Sequence, residues 1–387
     1  MADRQGFEKQ LIEWRHYLHR NPETAFNEKD TAAFLAKEFR TMGLDVTEGI
    51  GGTGLVAVLR RDGSGRVIGL RSDIDANPID EQGDPEWKST RKGAMHACGH
   101  DGHMAQLLGA AKILSESEDL KGTVCFVLQP AEEPGQGAQA IIDDGLFDRF
   151  PMDEIYGLHN IPAIPAGRVH VRAGGIMASE DDFRIVIRGK GAHASSPHMG
   201  RDPLLTAAEI IVALQTVVSR TANPLQPAVV SCTELLSDGA HNAIPSNVTI
   251  LGDTRSYSPE MQALIEERMR SICGHICEMN GAGCEFEYTH EFAPTINSEE
   301  QADAVARAAA RIVGPENVDG ACEPVMISED FAHYLEHVPG AFFFLGSGKS
   351  ENVTENIMLH NANYDYNDSI LVTGAEVLAE TALSRLG

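Results

Sequence analysis

The residues best suited to chemistry lie in one short run, Met95-His96-Ala97-Cys98-Gly99-His100-Asp101-Gly102-His103. Cys98 and His100 stand two apart, and Gly99 and Gly102 let the backbone turn tightly beside them. A thiolate and an imidazole so close together are natural metal donors. Met104, Leu107, Leu108, Ala111 and Leu114 follow at helical spacing, so the run leads into a helix. The N-terminus of that helix carries open N–H groups and partial positive charge, which favour the thiolate, the form of cysteine that binds metal. The run therefore reads as half of a metal site. Further donors end predicted strands downstream: Glu132 and Glu133 in Gln129-Pro130-Ala131-Glu132-Glu133-Pro134, His159 after the next strand, and His360 beyond a later loop. Strand ends are where open α/β sheets hold their active sites. Taken alone, each has a plain structural reading, a satisfied histidine or a solvated Glu-Glu pair. Their sum points to a metal centre.

The elements that must position these donors alternate between strand and helix. Phe7, Leu11, Trp14 and Leu18 predict an opening helix, and a second follows Asn21-Pro22 to about Met42, where Gly43 stops it. Strands are expected over 55–59, 67–70, 123–128 and 154–158, with Asp62-Gly63-Ser64-Gly65 as a hairpin signal between the first two. The pattern changes near Ser179: strand 183–187, helix 203–218, strands 229–235 and 248–253, helix 261–277, strand 284–288. That order is ferredoxin-like α+β. A helix over 302–312 and a buried strand over 341–345 return to the first pattern. The expected architecture is an α/β catalytic domain, its mixed sheet covered by helices and built from 1–178 and 294–387, with a ferredoxin-like α+β domain inserted at 179–293.

Composition narrows the setting. Against 31 basic residues stand 57 acidic ones, a formal net charge of -26 over 387 residues. Such a surface repels nucleic acid and anionic membranes, so neither is an expected partner. Seven scattered cysteines do not make a disulfide framework. Cys273, Cys277 and Cys284 suggest a second metal site, but Cys273 and Cys277 share a helical face with Ile272 and Ile276, and buried thiols are the preferred reading. The polar start MADRQGFEKQ offers no signal-peptide segment, and no apolar run approaches the roughly 20 residues of a membrane span. A cytoplasmic protein is expected.

The sequence resembles the metal-dependent aminoacylase and carboxypeptidase family, in the branch of hippurate hydrolase, indole-acetyl-amino-acid hydrolases and N-acyl-amino-acid amidohydrolases. The resemblance rests on Arg15-His16-Tyr17-Leu18-His19-Arg20-Asn21-Pro22-Glu23, Leu70-Arg71-Ser72-Asp73-Ile74-Asp75-Ala76, the His96 to His103 run and Gln129-Pro130-Ala131-Glu132-Glu133. It continues through Gly189-Lys190-Gly191-Ala192-His193-Ala194-Ser195, Asn242-Ala243-Ile244-Pro245 and Ser328-Glu329-Asp330-Phe331, in order along nearly the whole chain.

The resemblance implies two divalent metals held by Cys98, His100, Glu133, His159 and His360, with Cys98 bridging. A pair of ions about 3.5–4 Å apart activates water and polarises a scissile carbonyl together. The donor set suits zinc or manganese, with nickel or cobalt as further candidates. Glu132 matches the general base, which takes a proton from the attacking water and returns it to the leaving amine. Only the resemblance separates Glu132 from Glu133. Asp75 matches an acidic residue that orients a metal-binding group, while Asp73 stands where related enzymes often have histidine, a loss for which Cys98 compensates. His193 of the inserted domain matches a histidine that stabilises the oxyanion, often in the partner subunit. Asn242 and Arg255 match positions that hold the substrate's carboxylate; a strand-surface charge is the alternative for Arg255. His103 and His198 suit supporting roles, and His16 and His19 structural ones.

The function expected is hydrolysis of the amide of an N-acyl amino acid, a small-molecule substrate. A dipeptidase or carboxypeptidase acting on peptides with a free C-terminus is the alternative within the same chemistry. A non-catalytic metal-binding scaffold is the alternative outside it; its signature, loss of the base or of a ligand, is not seen. The inserted domain is expected to serve as lid and dimerisation module, giving a homodimer or homotetramer.

Overall fold

The computed structural model describes residues 3–63, 65–350 and 352–387. In chain order the principal elements are α1 (Arg4–Arg20), α2 (Lys29–Thr41), β1 (Asp45–Ile50), β2 (Gly54–Arg61), β3 (Val67–Asp73), α3 (His100–Glu116), β4 (Gly122–Gln129), β5 (Glu154–Pro165) and β6 (Val169–His170). They continue with β7 (Glu180–Arg188), α4 (Pro203–Thr216), β8 (Ala228–Ser237), β9 (Asn247–Ser256), α5 (Pro259–Met279) and β10 (Gly283–Phe292). The chain closes with α6 (Glu299–Val313), β11 (Val318–Asp319), β12 (Gly340–Gly348) and α7 (Leu371–Leu386). Two compact units result. The first takes Met1–Ile176, Asn297–Glu323 and Asp330–Gly387; the second takes Met177–Ile296 and Pro324–Glu329.

Among the described residues the first unit carries a mixed sheet in the order β1-β2-β4-β3-β5-β12-β6-β11. Its centre is parallel, β3 pairing with both β4 and β5, and β5 with β12. Central strands are buried along nearly their whole length, because helices cover a parallel sheet, and most of their residues are apolar. Phe126, Leu70, Phe343 and Leu345 of the sheet join Leu11 of α1, Leu107 and Leu108 of α3 and Leu378 of α7 in one core. Helix α3 is buried through its first three turns, so the donors at its start stand on a rigid support.

The Asp62–Gly65 signal misleads. β2 and β3 do not pair with each other; β4 lies between them, antiparallel to β2 and parallel to β3. The hairpin partner of β2 is β1, which the sequence conceals because Asp45, Glu48 and Gly49 face water on an edge strand. Ser64 itself lies outside the described residues. Helix α2 also starts later than Pro22 suggests. The carboxylate of Glu23 accepts the N–H of Thr31 at 2.8 Å, so residues 22–28 serve as a loop that caps the helix.

In the second unit β7, β8, β9 and β10 form an antiparallel sheet in the order β8-β9-β7-β10, with α4 and α5 packed on one face. This is the ferredoxin-like arrangement. Cys273 and Cys277 are buried in its core with Ile210, Leu214 and Met269. The expectation that no apolar run approaches a membrane span needs correction. α4 with its wider continuation, Pro203–Thr221, is 19 residues long and apolar enough by length and composition. Its inner residues Ala207, Ile210 and Leu214 pack into the unit's core, while Val212 and Leu205 face outward.

Candidate metal centre

The first unit brings all five expected ligands together where β3 and β4 terminate; His159, expected at a strand end, instead lies midway along β5, which continues to Pro165 because it goes on pairing with β12. Cys98 is the common point: its Sγ lies 3.4 Å from Nε2 of His159 and 3.3 Å from Nε2 of His360. His360 Nε2 stands 3.4 Å from Glu133 Oε2, and His100 Nε2 stands 3.7 Å from Glu133 Oε1. Donor atoms of Cys98, His100 and His159 lie within 4.8 Å of one another, as do those of Cys98, Glu133 and His360. Two donor groups thus share one sulfur. Glu132 is buried beside them, its Oε2 3.8 Å from His100 Nε2.

Local structure explains how each donor is held. Gly99 adopts φ 92° at the start of α3, a conformation that favours glycine, and a Cβ there would meet Asn160 Oδ1 at 2.3 Å. Among the described residues only Phe26, Ala131 and His360 have positive φ without being glycine. Two of the three adjoin the site: Ala131 precedes the Glu132-Glu133 pair, and His360 is itself a donor. Backbone held in this sparse region is a frequent companion of function. The Ala131 turn is fastened by its N–H, which donates to Glu28 Oε1 at 2.9 Å. Glu28 gave no signal in the sequence, since its partner is 103 residues away.

Hydrogen bonds at the rear of each imidazole set the face it offers. His100 Nδ1 donates to the main-chain oxygen of Asp75 at 2.8 Å, and His159 Nδ1 donates to that of Asn160 at 2.8 Å. Both rings therefore turn an Nε2 lone pair toward the cluster, the usual arrangement of ligating histidines. The Asp75 carboxylate accepts the N–H of Glu132 at 3.0 Å and that of Glu133 at 3.1 Å. Asp75 thus fixes one imidazole and both carboxylates.

The electrostatics call for positive charge. Burial would depress His100, but Asp73, Asp75 and Glu133 raise it to about 10. Burial pushes Glu133 up, with Asp75 adding to the effect against His100 and His360. His159 is driven well down by burial and then by His103, which keeps it a neutral ligand. His100 Nε2 and Glu133 Oε1 are buried without a hydrogen-bond partner. Unsatisfied inward donors, a shared sulfur and an excess of carboxylate all fit divalent cations.

Behind the donors lies a second buried network. His103 Nδ1 pairs with Asp73 Oδ1 at 2.8 Å, and His103 Nε2 lies 2.7 Å from Asn160 Oδ1. Arg71 reaches Asp73 at 3.0 Å and Asp330 at 3.2 Å. His19 and Arg15 both bind Asp101 at 2.8 Å, tying α1 to the first turn of α3. Burial pushes His96 down to about 3, so it stays neutral. The involvement of Arg71 and Asn160 was missed by sequence reasoning. A buried charge in the middle of β3 was the available signal for Arg71.

The remaining expected residues belong to the second unit. His193 lies in a short strand paired with Ala243, and the N–H of Ala194 donates to the Asn242 oxygen at 3.0 Å, so His193 and Asn242 are neighbours. Ser195 N–H donates to His193 Nδ1 at 3.1 Å, which leaves the ring proton on Nε2. Arg255 lies on β9, where its guanidinium meets Glu180 at 2.8 Å, Asp253 at 2.9 Å and Ser328 Oγ at 2.7 Å. His198 is exposed in the turn Pro197–Met199.

Known proteins resemble this chain over nearly its whole length. Hippurate hydrolase of Campylobacter jejuni subsp. jejuni is 39% identical over 372 residues, covering 96% of this chain and 95% of its own. N-acetyl-L-cysteine deacetylase of Bacillus subtilis is 38% identical over 376 residues, covering 97% and 88%. The crystal structure of the YXEP protein of Bacillus subtilis, described as a dinuclear metal-binding peptidase of the M20 family, superposes with a TM-score of 0.86 at 32% identity, covering 99% of both chains. The model of peptidase family M20/M25/M40 matches residues 69–384, which span every donor of the centre. On this match and these donors, the chain belongs to peptidase family M20/M25/M40.

Proposed function

We propose that the protein is a metal-dependent amidohydrolase that cleaves N-acyl amino acids to a carboxylate and a free amino acid. The convergence of His159, His360, Glu133 and His100 around Cys98, with Glu132 alongside, carries this reading. Cys98, His100, Glu133, His159 and His360 would hold two divalent ions, with Cys98 common to both. Zinc or manganese is proposed, and nickel or cobalt also suits the donors. When bound, such ions supply water activation and carbonyl polarisation.

The chain's own groups do the rest. Glu132 accepts a proton from the attacking water and delivers it to the leaving nitrogen. Asp75 orients Glu132, Glu133 and His100 through their hydrogen bonds to it. His193 presents an Nε2–H donor for the developing oxyanion. Asn242 and Arg255 hold the substrate's carboxylate, which distinguishes an N-acyl amino acid from a neutral amide.

The second unit is also the proposed lid and dimerisation module. Val212 on α4 is 72% exposed, and Leu235 and Leu236 are exposed on β8, an edge strand. An apolar helix face beside an open edge suits a homodimer. A cytoplasmic setting is proposed because none of the seven cysteines, all among the described residues, is in a disulfide.

The test is amino-acid release from a panel of N-acyl amino acids after chelation and readdition of zinc or manganese. Turnover that returns with metal and is lost in Glu132→Gln supports the reading. A metal-loaded protein that hydrolyses dipeptides but none of their N-acylated forms would replace it with a dipeptidase.

A further inference from the structure

The surroundings of Arg255 are unusual for a residue that must receive a carboxylate. Burial alternates along β9, so Asp253 and Arg255 share its half-exposed face while Thr254 and Ser256 point inward. On the neighbouring strand β7, Glu180 and Asp182 occupy the same outer face, and Asp253 stands directly opposite Asp182. This row sets one guanidinium among three acids. Two of them touch it: Glu180 Oε2 lies 2.8 Å from Nη1, and Asp253 Oδ2 lies 2.9 Å from Nε. Ser328 Oγ takes a further bond from Nη1 at 2.7 Å.

A charge-assisted bond to a substrate carboxylate needs N–H groups of this fork. Asp253 is short, lies two residues from Arg255 on the same strand and is locked in mid-sheet. Glu180 is the first residue of β7, with a longer and more rotatable side chain, and it is the acid able to swing away. We propose that Glu180 is a built-in competitor for Arg255: its carboxylate occupies the guanidinium until the carboxylate of an incoming N-acyl amino acid displaces it. Glu180 then sets how tightly substrate binds, and it disfavours substrates whose acidic group cannot outcompete an internal one. This inference rests on Arg255 being the carboxylate anchor of the proposed reaction.

The experiment measures KM and kcat of the metal-loaded enzyme for N-benzoylglycine and N-acetyl-L-methionine, and for their methyl esters. Glu180→Gln, close in size and surface-lying, should lower KM for the acids roughly three- to fivefold, the span of an exposed ion pair. Its kcat should change less than twofold, and KM for the esters should not fall. In an Arg255→Met background the gain should vanish. Asp182→Asn removes a charge from the same face without touching Arg255 and should give a smaller gain. An unchanged or raised KM in Glu180→Gln overturns the proposal, as does an equal gain in Asp182→Asn, which would assign the effect to diffuse charge. If Arg255→Met leaves the preference for acid over ester intact, the anchor assignment fails and the competitor fails with it. Calorimetry with both acids on the metal-loaded Glu132→Gln protein reads binding without turnover. Absence of binding there would sink the functional reading itself.

Discussion

The main-chain oxygen of Asp75 accepts the Nδ1–H of His100 at 2.8 Å, while the side chain of the same residue accepts the N–H groups of Glu132 and Glu133. One residue at the end of β3 therefore sets the tautomer of an imidazole and the position of two carboxylates that start after β4. Asp75→Asn keeps the carbonyl but swaps one carboxylate oxygen for an amide N–H donor, which faces a backbone N–H. We expect metal affinity to fall about 10- to 100-fold, the usual loss when a ligand's support is removed. Titration of the apoprotein with zinc or manganese by calorimetry reads this directly. Unchanged affinity would leave Asp75 with a purely architectural task.

A second prediction concerns close packing under the cluster. A Cβ on Gly102 would sit 2.2 Å from the ring of Tyr366, itself fully buried. Neither the first turn of α3 nor the Tyr366 ring has room to retreat. Gly102→Ala should cost about 1–3 kcal/mol, the range for overpacking in a filled core. Chemical denaturation of the apoprotein measures it free of metal effects. A loss below half of that range would mean that Tyr366 moves aside cheaply.

Much of this was legible from the chain, and the exceptions follow one rule. Cys98, His100, Glu132 and Glu133 are visible because donors cluster in short motifs whose residue types have few other uses. The pairing of Asp73 with His103 is not visible, since it depends on β3 and α3 meeting across 30 residues of sequence. The false hairpin at Asp62–Gly65 has the same origin. Local turn chemistry was right for a reversal, but β4 competes for the inner edge of β2 and wins because it is apolar from Val124 to Leu128. For Arg255 the sequence allowed a carboxylate anchor or a surface charge. The geometry shows a residue already paired with acids, which neither reading anticipated.

Glu154 gives a pH signature far from the centre. Burial would raise its carboxyl, but hydrogen bonds from Arg385 at 2.8 Å and Tyr156 at 2.6 Å hold it at about 2. A carboxyl depressed in the folded state stabilises fully above its unfolded value and loses that contribution as pH falls through the folded one. Thermal stability should therefore decline between about pH 4.5 and pH 2, with unfolded glutamate near 4.3. Glu154→Gln should be less stable than the parent at pH 7 and should lose less between those limits. Melting curves at pH 7, 4 and 2.5 decide it; parallel losses in both proteins would assign the acid transition elsewhere.

The thiols of the second unit sit in surroundings that favour ionisation to different degrees. A hydrogen bond from Cys277 lowers Cys284 to about 7 against the opposing effect of burial, and Arg270 adds to the lowering. Cys273 is pushed up to about 12 by burial, and Cys277 is raised by its own bond to Cys284. Only the thiolate alkylates. One second-unit thiol should react with iodoacetamide near pH 7.5 well before its neighbours, and peptide mapping should find the label on Cys284. Cys284→Ser should abolish that fast phase, and its persistence would move the assignment to another thiol.

Removing metal should expose how much of the fold's stability the centre supplies. Asp73, Asp75 and Glu133 converge on His100 and raise it to about 10, so without a cation the cluster must hold a proton or tolerate repulsion. A cation that binds only the folded state stabilises it by RT ln(1 + [L]/Kd), about 4 kcal/mol at a thousandfold excess over Kd. Chelation should lower Tm, and zinc or manganese should restore it in proportion to the logarithm of free metal. The restoration should weaken below about pH 6, because protons compete for the imidazoles and carboxylates that metal needs. His100→Ala removes one donor together with the buried positive charge that Asp73, Asp75 and Glu133 surround, so its apoprotein should melt below the wild-type apoprotein and regain little on metal addition. Differential scanning calorimetry of the two proteins with and without metal separates these terms. Equal recovery in both would show that His100 is not a ligand and that the carboxylates around it hold a proton instead.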